Sequence, residues 1–156
     1  MIGVLMILNQ LSKSLRLLLQ VNQGMGKETE LAVEVQHSIL NLEHLLQENL
    51  DNAYVLGRLG IMHAFAGNKV EAITAGKQAI ELTQVDKDAL SGPTHYLRLG
   101  EIYSIIGEVD LAIDQLEYLL SFISGVTAWT IKLNPYYAPL RNHPRYLRLI
   151  RPTPPA

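Results

Sequence analysis

The chain contains no cysteine. Disulfide bonds, thiolate nucleophiles and sulfur-ligated metal sites are therefore excluded. A cytosolic location fits this composition, although a chain without cysteine can sit in any compartment. The sequence also lacks a strong charge imbalance, since its formal net charge at pH 7 is −2. A domain that binds nucleic acid usually carries a clear basic excess, so we expect no nucleic-acid partner.

A long hydrophobic segment is missing near the N-terminus. The apolar run from Ile2 to Leu8 is too short to cross a bilayer, which takes about 20 such residues. Positive charge before the run and a small-residue cleavage site after it, the marks of a signal peptide, are not clear either. Apolar residues instead recur every three or four positions at Val4, Leu8, Leu11, Leu15, Leu18 and Val21. This spacing predicts an amphipathic helix over 1–24, which either packs on protein or touches a membrane surface through 1–20.

Motifs of catalytic chemistry are absent from the sequence. It contains neither a Gly-x-Ser-x-Gly nucleophile elbow nor an Asp-rich calcium loop. The segment VNQGMGKE lacks the first glycine and the Ser or Thr of a phosphate loop, so we interpret it as a helix end and a turn. His37, His44 and Glu34 share helical spacing, but the second such set that a di-iron bundle needs is missing. We expect no enzyme, no cofactor and no metal site.

Helical periodicity dominates the rest of the chain, and sustained two-residue alternation does not occur. With 156 residues, the chain has room for one domain that buries roughly 70% of its unfolded surface. We predict a single all-α domain over 1–156 that contains helical hairpins. Its predicted parts are the N-terminal helix 1–24, a long helix over 29–50, a first repeat over 53–83, a second repeat over 93–122 and a C-terminal cap over 126–150.

An internal repeat stands in the middle of the chain. RLGIMHAFAGNKVEAI (58–73) aligns with RLGEIYSIIGEVDLAI (98–113), forty positions later. Gly60 and Gly100 fall in mid-helix, where each costs about 1 kcal/mol relative to alanine, so a close helix crossing is predicted at both. The predicted packing residues are Leu59, Gly60, Gly67 and Ala72 in the first copy, and Leu99, Gly100, Tyr103, Gly107 and Ala112 in the second.

The second copy resembles a tetratricopeptide repeat, a helical hairpin with a large residue, Leu-Gly, an aromatic residue, a turn glycine and a small alanine. The matching residues are Tyr96, Leu99, Gly100, Tyr103, Gly107 and Ala112. The first copy departs from the pattern at Leu56, His63 and Gly76, and Gly76 stands where a bulky residue is usual, so we expect its hairpin to pack more loosely. The spacing of 40 exceeds the family's usual length of about 34, with the extra residues near VDKDALSG.

The segment NPYYAPLRNHPRYLRLI (134–150) combines three prolines, three tyrosines and three arginines. With the residues before it, the segment resembles the ending of bacterial tetratricopeptide proteins, where such modules often form the C-terminal part of larger regulators. The resemblance implies a short α-solenoid of antiparallel hairpins, closed by a proline-rich cap. Asn134-Pro135 and His143-Pro144 read as starts of two short helices. The residues predicted to cover the open end are Trp129, Leu133, Leu140, Tyr146, Leu147 and Ile150.

The resemblance also implies a function: a non-catalytic scaffold or adaptor that holds a protein or peptide partner in a concave groove. The candidate groove residues are Tyr54, Arg58 and Ile61 from one hairpin, and Leu97, Arg98 and Glu101 from the next. Two alternatives remain open at this point. The chain could be a dimerisation or regulatory module that forms a homo-oligomer through its apolar first helix. It could also be a membrane-peripheral protein anchored by that helix.

Overall fold

The computed structural model describes residues 13, 21, 24–48, 51–83, 92–121 and 124–151. Within these ranges the chain is helical and contains no strand, so the predicted all-α class is confirmed. Apart from Lys13, Val21 and Gly24, the predicted helix over 1–24 lies outside the described residues, as does the connection over 84–91. The helices are α1 (Glu28–Glu48), α2 (Ala53–Phe65), α3 (Lys69–Thr83), α4 (Gly92–Ile105), α5 (Val109–Leu120), α6 (Ala128–Leu133), a 3-10 helix (Pro135–Leu140) and α7 (Pro144–Leu149).

Local sequence signals set the ends of the central helices. Asn52 caps α2, because its side-chain oxygen accepts a hydrogen bond of 3.1 Å from the backbone N–H of Val55. Gly67 and Gly107 follow α2 and α4 with φ angles of +80° and +86°, a left-handed conformation that glycine adopts without a Cβ clash. The turns reverse the chain, so that α3 packs on α2 and α5 packs on α4 as two helical hairpins.

The hydrophobic core lies where α2 meets its neighbours. This helix contacts α1, α3 and α4, and it carries the fully buried Ile61 and Met62. The apolar side of α1 faces this core through Val35, Ile39 and Leu42. Burying each large apolar side chain contributes roughly 1.5–3 kcal/mol, so these contacts join α1 and the two hairpins into one packed unit.

The two repeated glycines differ in how closely their neighbours approach. A Cβ atom at Gly60 would lie 2.6 Å from Cδ1 of Ile102 and 3.0 Å from the carbonyl oxygen of Ala72. At Gly100 the corresponding distances are 3.3 Å to the hydroxyl of Tyr137 and 3.8 Å to the carbonyl oxygen of Ala112. The α2–α3 crossing therefore leaves no room for a side chain, whereas the α4–α5 crossing is wider and is filled by a tyrosine.

The looser packing expected around Gly76 is not observed. A Cβ atom at this position would lie 2.8 Å from Cδ1 of Ile102 and 2.9 Å from Cδ1 of Leu99. Both side chains come from α4 and occupy the space where the repeat pattern usually places a bulky residue on the second helix. The first hairpin is thus tightly packed, with the missing volume supplied by its neighbour.

The C-terminal segment packs on the second hairpin, with the 3-10 helix against α4. Asn134-Pro135 and His143-Pro144 begin the 3-10 helix and α7 as predicted. Leu140 and Tyr146 are buried, but Trp129 and Leu133 are 65% and 60% exposed, and Leu147 is also exposed. The prediction that these last three cover the end is wrong, because α6 buries Ile131, and Tyr136 and Tyr137 fill the space on α4.

One arginine fastens the last helix to α5. Arg145 donates hydrogen bonds to Asp110 at 3.2 Å, to Asp114 at 2.7 Å and to Glu117 at 2.8 Å. The bonds to Glu117 and Asp114 raise the pKa of Arg145 above its ordinary value. Since these carboxylates lie on three successive turns of α5, the charge of Arg145 is already matched within the fold.

Candidate functional site

The first helices of the two hairpins, α2 and α4, lie side by side. A Cβ atom at Gly57 would stand only 3.1 Å from Cγ of Arg98, so the stem of Arg98 runs directly over the α2 backbone at this point. Arg58 follows Gly57 in sequence, and the close approach brings the two arginines to one surface. We call this surface the α2–α4 face; its half-buried side chains are Tyr54, Arg58, Leu97 and Arg98.

Arg98 is neutralised inside the fold. Its guanidinium donates to Oε2 of Glu101, and the two side chains are only 14% and 4% exposed. The other carboxylate oxygen, Oε1, accepts a 2.7 Å hydrogen bond from the side-chain amide of Asn134. Because a buried carboxylate is stable only when both its charge and its lone pairs are satisfied, this trio is a complete structural unit.

Arg58 has a different environment. Its Nη2 donates a 2.9 Å hydrogen bond to the hydroxyl of Tyr54, and its guanidinium carbon lies 4.9 Å from the centre of the Tyr54 ring. Its Nε is buried without a hydrogen-bond partner, and no described carboxylate forms an ion pair with it. Burial, followed by the neighbouring positive charge of Arg98, lowers the pKa of Arg58. The charge of Glu101 acts in the opposite direction on Arg58, but more weakly than burial and Arg98 do, so two guanidinium groups share one carboxylate among the described residues of this face.

Tyr136 of the 3-10 helix borders this face. Its ring centre lies 5.8 Å from that of Phe65 on α2, and its backbone carbonyl accepts a 2.7 Å hydrogen bond from the hydroxyl of Ser104 on α4. Burial, and then the negative charge of Glu101, raises the pKa of Tyr136 to about 12. The tyrosine is therefore neutral at physiological pH.

The six predicted groove residues fall into two groups. Tyr54 and Arg58 contact each other on the half-buried surface, and Leu97 and Arg98 are half-buried beside them. Ile61 has no exposed surface and belongs to the core, and Glu101 is buried against Arg98. Because both side chains are buried, their neighbours would have to move before a partner could touch Ile61 or Glu101. Their assignment as contact residues stays a prediction.

Asn134 and Tyr136 border the site although sequence reasoning placed them only in the cap. Asn134 does act as a helix cap, since its side-chain oxygen accepts a 3.0 Å bond from the Tyr136 N–H. Its amide group, however, reaches Glu101 across 33 positions of sequence. An Asn-Pro pair signals the cap, whereas no local pattern signals a contact at that separation.

The described residues provide neither a cluster of metal ligands nor a membrane-spanning helix. The side chains of histidine, aspartate and glutamate that the structure describes form no group of three or more that could hold a metal ion. None of the helices within the described ranges has the length and apolar character needed to cross a membrane. The side chains described on the α2–α4 face offer hydrogen-bond donors and positive charge.

Comparison of the chain with known protein families, with curated proteins and with solved structures gives no match.

Proposed function

We propose that the chain is a tetratricopeptide-type interaction module that binds a protein or peptide partner on the α2–α4 face and performs no catalysis. The family resemblance rests on the repeated segments 58–73 and 98–113. In this proposal the two hairpins are successive units of a short solenoid, and the segment from α6 to α7 is its terminal cap.

The observation that carries the proposal is the placement of Arg58. A half-buried guanidinium without a direct ion pair lowers the stability of a fold, because the free energy lost on desolvation of the charge is offset mainly by a nearby opposite charge. Surfaces that bind partners keep such groups, and arginine is enriched among the residues that dominate binding energy. The adjacent Tyr54, which is half-buried and aromatic, belongs to the same class of residue.

Affinity capture followed by direct binding tests this proposal. The bait proteins are the wild type, Arg58→Glu on the face, and Arg141→Glu, an exposed arginine outside it, as the matched control. A protein retained by the wild type and the control is then purified, and its affinity for all three baits is measured by calorimetry. We expect Arg58→Glu to weaken binding at least tenfold, about 1.4 kcal/mol, while the control changes little. Equal affinity for all three baits would refute binding at this face.

Self-association is a second candidate function, favoured by the exposed apolar surface of α6. Trp129 and Leu133 lie one helical turn apart and are both largely exposed. Large exposed apolar side chains that cluster often mark protein contacts. Leu11 and Leu15, on the helix over 1–24 first considered for this role, lie outside the described residues.

Sedimentation velocity separates the two functions. If the chain self-associates through α6, the wild type sediments as a dimer or larger species, and Trp129→Ser/Leu133→Ser sediments as a monomer. If the α2–α4 face is the functional surface, both proteins sediment alike and both retain the partner that Arg58→Glu loses.

A further inference from the structure

The charge balance of the α2–α4 face indicates what kind of partner group it takes. Arg98 is paired with Glu101, which in turn is held by Asn134. Of the five N–H donors of the Arg58 guanidinium, one is used by Tyr54, and Nε is buried without a partner. Among the described residues, the face therefore has two positive charges that share one carboxylate, and Arg58 keeps unused donors without a direct ion pair.

The Arg58 guanidinium is also held in place. Its contact with the Tyr54 ring at 4.9 Å and its bond to the Tyr54 hydroxyl fix the group against α2. The stem of Arg98 lies over Gly57, the residue that precedes Arg58. A guanidinium positioned in this way loses less side-chain entropy on binding than a free surface arginine does, so an added ion pair contributes more to affinity.

We propose that Arg58 binds the carboxylate of an aspartate or glutamate side chain in an extended peptide that lies across the α2–α4 face. The proposal rests on the proposed function, since it names the group recognised at the same surface. A carboxylate carries one negative charge and therefore matches the single unpaired positive charge. A phosphate group carries about two charges at neutral pH and would require Arg98, whose charge is already taken by Glu101.

The α2–α4 face also offers apolar contacts to the residues that accompany the acidic one. Tyr54 offers a half-buried aromatic ring on α2, and Leu97 offers a half-buried apolar side chain on α4. Apolar anchors that flank a charged contact are typical of such peptide sites.

Peptide pools of defined chemistry test the inference. The probes are short extended peptides, acetylated and amidated at their ends, with random neutral flanks and a central Glu, Gln or phosphoserine. A fourth pool has a central Gln and a free C-terminal carboxylate. Each pool is passed over immobilised full-length protein, and the retained fraction is measured for the wild type, Arg58→Gln, Arg58→Lys and the control Arg141→Gln.

We expect the wild type and Arg141→Gln to retain the Glu pool about tenfold more than the Gln pool, as for a hydrogen bond to a charged group. Arg58→Gln should abolish this preference, Arg58→Lys should keep a weaker one, and added salt should reduce it. Circular dichroism verifies that each variant is folded, and the wild-type comparison stands even if a variant is not.

Each contrary result has a distinct meaning. Equal retention of the Glu and Gln pools overturns the carboxylate proposal and leaves peptide binding intact. Preference for phosphoserine or for the free terminus also overturns it, as does a Glu preference that survives in Arg58→Gln. Retention of no pool overturns both this inference and the proposed binding of extended peptides at the face.

Discussion

The two hairpins carry the same arginine at the same position and place it in different electrostatic surroundings. Three residues after Arg98 stands Glu101, which neutralises it, whereas three residues after Arg58 stands the buried Ile61. The direct contacts shown for Arg58 are therefore a neutral hydroxyl and an aromatic ring, and Glu101 acts on it only through its charge. The difference shows that a repeated sequence can reproduce a backbone arrangement while only one copy of the arginine is neutralised by a direct ion pair; in our proposal the other copy binds a partner.

The same contrast applies to the paired glycines. The crossing at Gly60 is closed by the α3 backbone at Ala72 and by Ile102 of the next hairpin. The crossing at Gly100 leaves space for the hydroxyl of Tyr137, which also donates a 3.1 Å hydrogen bond to the carbonyl of Leu97. The first hairpin is packed by a neighbouring hairpin, and the second is packed by the C-terminal segment.

The largest loss of stability is expected when Glu101 of the second hairpin is replaced by isoleucine, the residue that the first hairpin carries at the corresponding position, Ile61. In Glu101→Ile, Arg98 loses its carboxylate while only 14% of its side chain is exposed, and the amide of Asn134 loses its acceptor. Removing one partner of a buried ion pair costs about 3–5 kcal/mol. We expect the free energy of unfolding to fall by about that amount in urea titrations followed by circular dichroism.

The double variant Arg98→Met/Glu101→Ile is the control for this experiment. Since it removes both charges and restores an apolar contact, it should regain most of the lost stability. If Glu101→Ile alone left the unfolding free energy unchanged, the pair would contribute nothing, and the contrast between the hairpins would have no energetic basis.

A smaller loss of folding stability is expected at alkaline pH, when Tyr136 ionises. Its folded pKa of about 12 exceeds the unfolded value of about 10, so the neutral tyrosine contributes stability below pH 10 that is lost as pH rises through 12. Over this interval the wild type should lose about 2 kcal/mol more than Tyr136→Phe, which has no ionisable hydroxyl. Urea unfolding across the pH series measures the difference, with Tyr118→Phe, an exposed tyrosine, as the control. Parallel losses in wild type and Tyr136→Phe would show that Tyr136 ionises without penalty.

A third comparison places alanine at each paired glycine. Alanine gains about 1 kcal/mol of helix propensity at both positions. At Gly60 the new methyl group meets the buried Ile102 and a backbone carbonyl, and overpacking of this kind costs about 1–3 kcal/mol. We expect Gly60→Ala to destabilise by up to about 2 kcal/mol and Gly100→Ala, where the nearest atoms are farther away, to be neutral or to stabilise by up to about 1 kcal/mol. Equal thermal shifts in the two variants would mean that the crossings are equally open.

Much of this fold could be predicted because its signals are local. The period of the apolar residues predicts the helices, and Asn134 and His143, each followed by proline, predict the starts of the two short C-terminal ones. The φ angles of Gly67 and Gly107 follow from their places at helix ends. Each of these features depends on a few neighbouring residues, which sequence reading can weigh.

The features that sequence reading missed depend on contacts between distant segments. The apolar Trp129 and Leu133 were expected to be buried, but the short α6 turns only Ile131 inward. The burial of Ile61 and the bond from Asn134 to Glu101 likewise depend on how separate helices meet. The repeat alignment showed that Arg58 and Arg98 correspond, but only the packed structure showed which of them is neutralised.

The smallest expected effect tests the central claim most directly. Arg58→Met removes a half-buried charge that has no direct ion pair, which raises the free energy of unfolding. It also removes the contact of that charge with Tyr54, which lowers the free energy of unfolding. We predict that the unfolding free energy of Arg58→Met stays within about 1 kcal/mol of the wild-type value. The matched variant Arg98→Met leaves the buried Glu101 without its ion-pair partner and should lose about 3–5 kcal/mol. If Arg58→Met lost as much stability as Arg98→Met in parallel urea titrations, Arg58 would be a structural residue like its counterpart, and the account of an arginine held open for a partner would be contradicted.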